Sequence, residues 1–216
     1  EIEYFQEEGI IDYPYSIKFM EKKVEEIYKN NCKEFIWFLE HDNIYTAGTS
    51  AKPEDLIEKN KFKVYESSRG GQYTYHGPGQ KIIYLMLNLR KKGYDIRKFI
   101  TLIEEWIIIS LQDIGVKGIN DKDHVGIWVE DKNTLKKISS IGLRVRKGIT
   151  FHGVSINMNP NLENFKGINP CGNNPNDVTS LEEMGLKKEI KYFDDILIRN
   201  FNKLFKAKLK LRKIQE

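Results

Sequence analysis

Cysteine is nearly missing from this chain. Its two copies, Cys32 and Cys171, lie far apart in dissimilar contexts, which argues against a disulfide scaffold and suits a reducing cytoplasm. Long apolar runs are missing too. No uninterrupted stretch approaches the roughly 20 residues that cross a bilayer, and 31% of the chain is charged, so no membrane partner is expected. A basic N-terminus is lacking: residues 1–9 are acidic, the wrong sign for a secretory signal. Histidine is sparse, and none of the four has metal-ligand spacing with either cysteine, so no metal site is expected. Zinc-finger spacing, a recognition helix and an RNA-binding aromatic motif are all absent. The net charge of +4 therefore does not read as a nucleic-acid surface. No repeat, low-complexity linker or domain boundary interrupts the 216 residues, which are expected to form one domain spanning 1–216.

What is present is a mixture of periods. Ile17, Met20, Val24, Ile27 and Tyr28 recur at helical spacing and predict a helix over 13–30. Asp95 is a suitable N-cap for a second helix running to 114, with Gly115 as its stop. A third is expected over 192–205 and a short one over 53–59. Strands are expected over 34–39, 44–47, 62–65 and 81–89, the last apolar enough to be buried on both faces. A hairpin follows, with strands over 126–130 and 136–146, then strands over 150–157 and 206–212. No regular βαβ alternation appears, which implies an α+β domain of mixed sheets with flanking helices. The irregular stretch 158–176 is long for a compact domain, and such loops are commonly functional.

Two stretches carry chemistry. Residues 67–80 read Ser-Ser-Arg-Gly-Gly-Gln-Tyr-Thr-Tyr-His-Gly-Pro-Gly-Gln, a glycine-rich loop between two strands that brings bare N–H groups close to a carbonyl or anion. Cys171 sits between Pro170 and Gly172 in a polar loop, whereas Cys32 borders an apolar strand and reads as inert. A nucleophilic thiol needs a neighbouring cation or base. His76, His152, Lys136 and Lys137 are the candidates. The two lysines begin one strand and face opposite sides, so pattern alone does not choose between them. His76 and His152 each precede a glycine and read as walls of one pocket.

The wording of the loop resembles the Arg-Gly-Gly-x-x-Thr-Tyr-His-Gly-Pro-Gly-Gln signature of the lipoyl(octanoyl) transferases. Further blocks follow in the same order: Lys137-Ile-Ser-Ser-Ile-Gly, Thr150-Phe-His-Gly-Val, Ile168-Asn-Pro-Cys171-Gly and Val178-Thr-Ser-Leu. The resemblance implies the fold of the biotin and lipoate ligase catalytic domains. It also implies a catalytic pair of Cys171 and Lys137. Acyl-substrate contacts are implied at Arg69, Gly70, Gly71, Gln72, Tyr73, Thr74, Tyr75 and His76, at Ser140, Ile141 and Gly142, and at Gly153, Val154 and Ser155, with His152 a further possibility. The implied reaction moves an octanoyl group from octanoyl-acyl carrier protein to a lipoyl-domain lysine, without a cofactor. The implied acceptors are the E2 subunits of 2-oxoacid dehydrogenases and the glycine cleavage H protein.

Two other readings stay open. An ATP-dependent lipoate or biotin ligase on the same fold would need no cysteine nucleophile. A non-catalytic basic binding module would tolerate replacement of Cys171. The basic clusters at 90–92 and at Arg144, Arg146 and Lys147 are candidate docking sites for an acidic carrier, or else solvated faces.

Overall fold

A strand that the acidic N-terminus does not advertise opens the chain. In the computed structural model, which describes residues 1–121, 125–169 and 177–212, β1 (Ile2–Ile10) lies between β2 (Phe35–Glu40) and the C-terminal β11 (Leu209–Leu211), parallel to both. Its partners are distant in sequence, so no hairpin signal marks it.

From β2 the sheet continues antiparallel through β6 (Gln80–Met86), β10 (Ile149–Asn157), β9 (Thr134–Arg146), β8 (Ile127–Asp131) and β7 (Gly118–Asn120). The described residues thus form an eight-stranded sheet in the order β11-β1-β2-β6-β10-β9-β8-β7. Helices cover both faces, which is why β2 and β6 are apolar along nearly their whole length. On one face Ile36, Phe38, Ile83, Leu85, Val154 and Ile156 meet α3 (Ile96–Gln112) and α4 (Phe193–Leu204). Trp106 anchors that layer, fully buried and donating its indole N–H to the Leu197 carbonyl at 2.8 Å. Truncating such a residue to Ala typically costs about 3–5 kcal/mol. On the other face Phe35, Trp37, Leu39, Tyr84 and Phe151 meet Met20, Val24 and Ile27 of α1 (Tyr13–Tyr28). Asp12 caps α1 through the Tyr15 N–H, Asn88 caps the one-turn α2 (Leu89–Lys92) through the Lys91 N–H, and Asp95 caps α3 through the Lys98 N–H. The expected long helices therefore form close to their expected bounds.

Two expectations need correction. The 53–59 helix shrinks to a single 3-10 turn, Pro53–Asp55. The glycine-rich stretch 67–80 is not one loop. Its centre is a strand, β5 (Tyr73–His76), which pairs antiparallel with β3 (Ile44–Ala47), while β4 (Lys63–Glu66) pairs parallel with β3 on the other side. Flanking glycines hid a four-residue strand. This small sheet has its own core, Tyr45, Tyr73, Tyr75, Phe165, Ile168 and Val178. No helix among the described residues is long and apolar enough to cross a membrane.

Candidate active site

The glycine-rich segment, strand β9 and strand β10 converge on one cleft of about 490 Å3, counted to its open mouth. Arg69, Gly70, Gly71, Thr74 and His76 form one wall. Ser140, Ile141, Gly142, His152, Gly153, Val154 and Ser155 form the floor with Ile82 and Tyr84 of β6, and Tyr13 of α1 closes the side. Strand pairing explains the floor. Ser140 lies opposite Ser155 and Gly142 opposite Gly153, while Ser155 and Gly153 lie opposite Ile82 and Tyr84. These residues are two apart along each strand and so share one face. Val154 turns its side chain into the α3 core and Ile141 packs against it. Gln72, Tyr73 and Tyr75 do not line the cleft; both tyrosines pack in the core of the small sheet.

Glycine is required at the centre of this floor. A Cβ on Gly153 would lie 2.0 Å from the Ile83 carbonyl oxygen, and one on Gly142 would lie 3.0 Å from Arg69 Cδ. Side chains there would push β10 off β6 or displace the arginine.

Arg69 is buried and ties the glycine segment to β3. Its Nη2 donates to the Thr46 carbonyl at 2.8 Å, to Thr46 Oγ1 at 2.7 Å and to the Gln72 carbonyl at 2.9 Å, while Nη1 donates to the Gly70 carbonyl at 2.9 Å. The planar fork suits this carbonyl-rich site better than a lysine point charge would. It also fixes a positive charge in the cleft wall.

The histidines around the cleft are neutral. Burial pushes His41 down to about 4 and His76 and His152 down to about 3, and the Arg69 charge adds to the effect at His76 and His152. His41 Nδ1 is 2.7 Å from the Ile11 carbonyl and must donate to it, so its Nε2 accepts from the Tyr84 hydroxyl at 2.8 Å. His152 adopts a left-handed φ of +59° within β10, a conformation that histidine tolerates better than most side chains. Its Nε2 lies 3.3 Å from Ser68 Oγ.

Lys137 reaches the cleft side of the sheet through an irregularity. Ile127 pairs with Ser139, but the next residue, Trp128, pairs with Lys137, which leaves Ile138 as an extra residue in β9. Ile127, Val129 and Ile138 all face the α3 core, so Trp128 faces the opposite way, and the Lys137 ammonium lies 4.8 Å over its ring. Strict alternation would have set Lys137 and Ser140 on opposite faces; the bulge puts them on one. Lys136 diverges to bind Asp131 Oδ2 at 2.9 Å, and that hydrogen bond holds the Asp131 carboxyl below its usual range. The Lys137 backbone grips the chain beyond Cys171: its N–H donates to the Asp177 carbonyl at 2.7 Å, and its carbonyl accepts from Thr179 N–H at 3.0 Å. Asn169, two residues before Cys171, donates to the Asp55 carbonyl at 2.8 Å. Cys171 itself lies outside the described residues. Cys32 is half-buried, and burial raises its thiol above the usual range.

The basic clusters are largely engaged. Lys147 donates to both carboxylate oxygens of Glu25 at 2.9 Å, Arg146 lies 4.0 Å from Glu21, and Lys92 pairs with Glu34 at 3.0 Å. Among the described residues no group of three or more His, Cys, Asp or Glu side chains is arranged to hold a metal ion. Sequence reasoning missed Tyr13, Ile82, Tyr84 and Trp128. A strand apolar on both faces gives no sign of which face lines a site, and Trp128 needed the bulge to be placed.

The comparisons with known proteins agree with this geometry. Residues 12–202 match the lipoyl protein ligase A/B catalytic domain. An octanoyltransferase of Wolbachia pipientis (strain wPip) is 47% identical over 195 residues, covering 90% of this chain and 95% of its own. One from Bartonella henselae is 45% identical over 206 residues, covering 91% and 84%. Among solved structures, lipoate-protein ligase A bound with ATP superposes with a TM-score of 0.71 at 19% identity, covering 100% of this chain and 90% of that one. A lipoate protein ligase from Thermoplasma acidophilum, studied with its E2 lipoyl domain, superposes at 0.67 with 17% identity, covering 100% and 88%. The structures establish the fold, and the closely similar sequences the branch: the chain belongs to the octanoyltransferases of the lipoyl protein ligase A/B catalytic-domain family.

Proposed function

We propose that this acyltransferase takes an octanoyl group from octanoyl-acyl carrier protein onto Cys171 and passes it to a lysine of a lipoyl domain, in the cytoplasm. The acceptors are the lipoyl domains of 2-oxoacid dehydrogenase E2 subunits and the glycine cleavage H protein. In the first step the Cys171 thiolate attacks the carrier thioester. A new thioester forms on Cys171, the carrier thiolate leaves, and it takes a proton from the Lys137 ammonium. In the second step the acceptor amine attacks the Cys171 thioester. An amide forms, the Cys171 thiolate leaves, and Lys137 takes up the amine proton. Thioester exchange is near neutral in energy and amide formation is downhill, so neither step calls for ATP. Backbone N–H groups of the glycine segment are suited to hold the oxyanion of either step.

The observation that carries this reading is the bulge at Ile138. It turns Lys137 to the cleft side while the same residue's backbone pins the segment that follows Cys171. The cleft floor, with its two glycines and Ile82, suits an unbranched acyl chain. Sequence identity of 43–47% to octanoyltransferases favours carrier-dependent transfer over ATP-dependent ligation. Intact-protein mass spectrometry after incubation with octanoyl-acyl carrier protein tests it. One octanoyl group is expected on Cys171 and none on Cys171→Ala. An acyl group mapped to Cys32, or retained in Cys171→Ala, overturns it.

A further inference from the structure

We propose that Trp128 is a positioning residue for Lys137, its indole face holding the ammonium on the cleft side of the sheet for proton transfer; this rests on the reading of Lys137 as the proton carrier. Lysine is a poor proton carrier when its four-carbon stem is free to wander, because each transfer needs one rotamer out of many. Three local features remove that freedom.

The first is the bulge, which sends the Lys137 side chain out on the face of Trp128. The second is a notch. Gly126 has φ +128°, and a Cβ there would lie 3.3 Å from Lys137 Cε and 3.5 Å from Cδ. A side chain at 126 would therefore crowd the lysine stem, and the glycine leaves it room. The third is the indole, with Nζ 4.8 Å from the ring centroid and both residues only 5% exposed. Indole presents the most electron-rich face of the natural side chains, and desolvation strengthens its attraction for a cation. Trp128 is anchored through its strand. Its neighbours Ile127 and Val129 are buried in the α3 core, which fixes the backbone from which the buried indole projects.

The contact matters to the reaction because it acts on the charged form. The indole holds the ammonium between turnovers and releases the side chain's orientation only when the proton has left. An apolar residue of similar bulk would fill the same space without selecting the ammonium's position.

Site-specific replacement of Trp128 by mono-, di- and tetrafluorotryptophan tests this, since fluorine drains the ring face with little change in shape. Turnover with octanoyl-acyl carrier protein and a lipoyl domain is the readout, with melting temperature as the control for folding. We expect kcat to fall stepwise along the series, on the order of 10-fold in total, with KM and melting temperature unchanged. Trp128→Phe should keep most of the turnover and Trp128→Leu should lose it. A flat kcat across the series, or a change confined to KM, overturns the proposal. Full turnover in Lys137→Ala, measured alongside, would instead remove the reading on which it rests.

Discussion

The side-chain amides of Gln80 and Asn157 meet at 2.9 Å across the β6–β10 pair and join the glycine-rich wall of the cleft, by way of Thr179, to the Lys137 backbone on β9. The chain of donors can be read from its fixed end. The Thr179 carbonyl can only accept, so the Asn157 group facing it at 2.9 Å is Nδ2. Asn157 Oδ1 then accepts from Gln80 Nε2, and Gln80 Oε1 faces His76 Nδ1 at 2.7 Å. His76 is neutral, so Nδ1 carries its proton and Nε2 is left as an acceptor. Thr179 in turn donates its N–H to the Lys137 carbonyl.

Asn157→Ala should therefore cost more than a lost side chain. It leaves the Gln80 amide and the Thr179 carbonyl without their partner in a buried site, a loss of about 1–3 kcal/mol. Chemical denaturation should show that drop with an unchanged slope, and turnover should fall because the segment gripping Lys137 loosens. Stability equal to the parent would mean that the network is dispensable.

Much of this architecture is legible in the sequence, and the exceptions share a cause. Helix α3 shows its apolar stripe and its Asp95 cap because both are local. Strand β1 shows neither, since its two partners come from distant segments and Glu3, Glu7 and Glu8 break up its apolar residues. Strand β5 is hidden because its four residues lie among glycines. At the site, the residue types near Arg69, His76 and Gly142 are evident from the motif, but their geometry is not. The relation of Lys137 to Ser140 depends on one extra residue, Ile138, and alternation alone gives the wrong face. Arg69 suggests a substrate contact as a bare residue, whereas its donors are spent on Thr46 of β3 and on the Gly70 and Gln72 carbonyls of its own loop.

The three buried histidines predict acid sensitivity. Unfolded, each titrates near 6.5; folded, they titrate at about 3 to 4 because burial disfavours the cation. Between those values the unfolded chain binds more protons, so acid favours unfolding. Stability should be level above pH 7 and fall as pH drops from about 6.5 towards 4, by up to about 1.4 kcal/mol per histidine per pH unit. His152→Asn keeps a side chain that tolerates the left-handed φ and removes one titrating ring. Melting temperature against pH should then fall with a slope about one third shallower. An unchanged slope would show that His152 does not contribute.

For the proposed carrier donor, the ion pairs narrow the choice of docking residue. Lys147 and Arg146 spend their charge on Glu25 and Glu21 of α1, while Arg144 is exposed and makes no ion pair among the described residues. Arg144 lies two residues beyond Gly142 on β9 and so shares the cleft face of the sheet. Of the three, it is the one positioned to meet an acidic partner at the cleft mouth. Arg144→Glu should slow acylation by octanoyl-acyl carrier protein several-fold at low salt, and the gap from the parent should close as rising salt shortens the Debye length below about 8 Å. Acylation by a small octanoyl thioester should be unchanged, because it brings no acidic surface. Lys147→Glu should act differently: it sets two carboxylates together at the α1 contact, and its main effect should be a small stability loss that salt screens. Stopped-flow acylation with both donors separates these outcomes. Equal slowing with both donors in Arg144→Glu would mean damage to the cleft, and no slowing with either would mean that the carrier docks elsewhere.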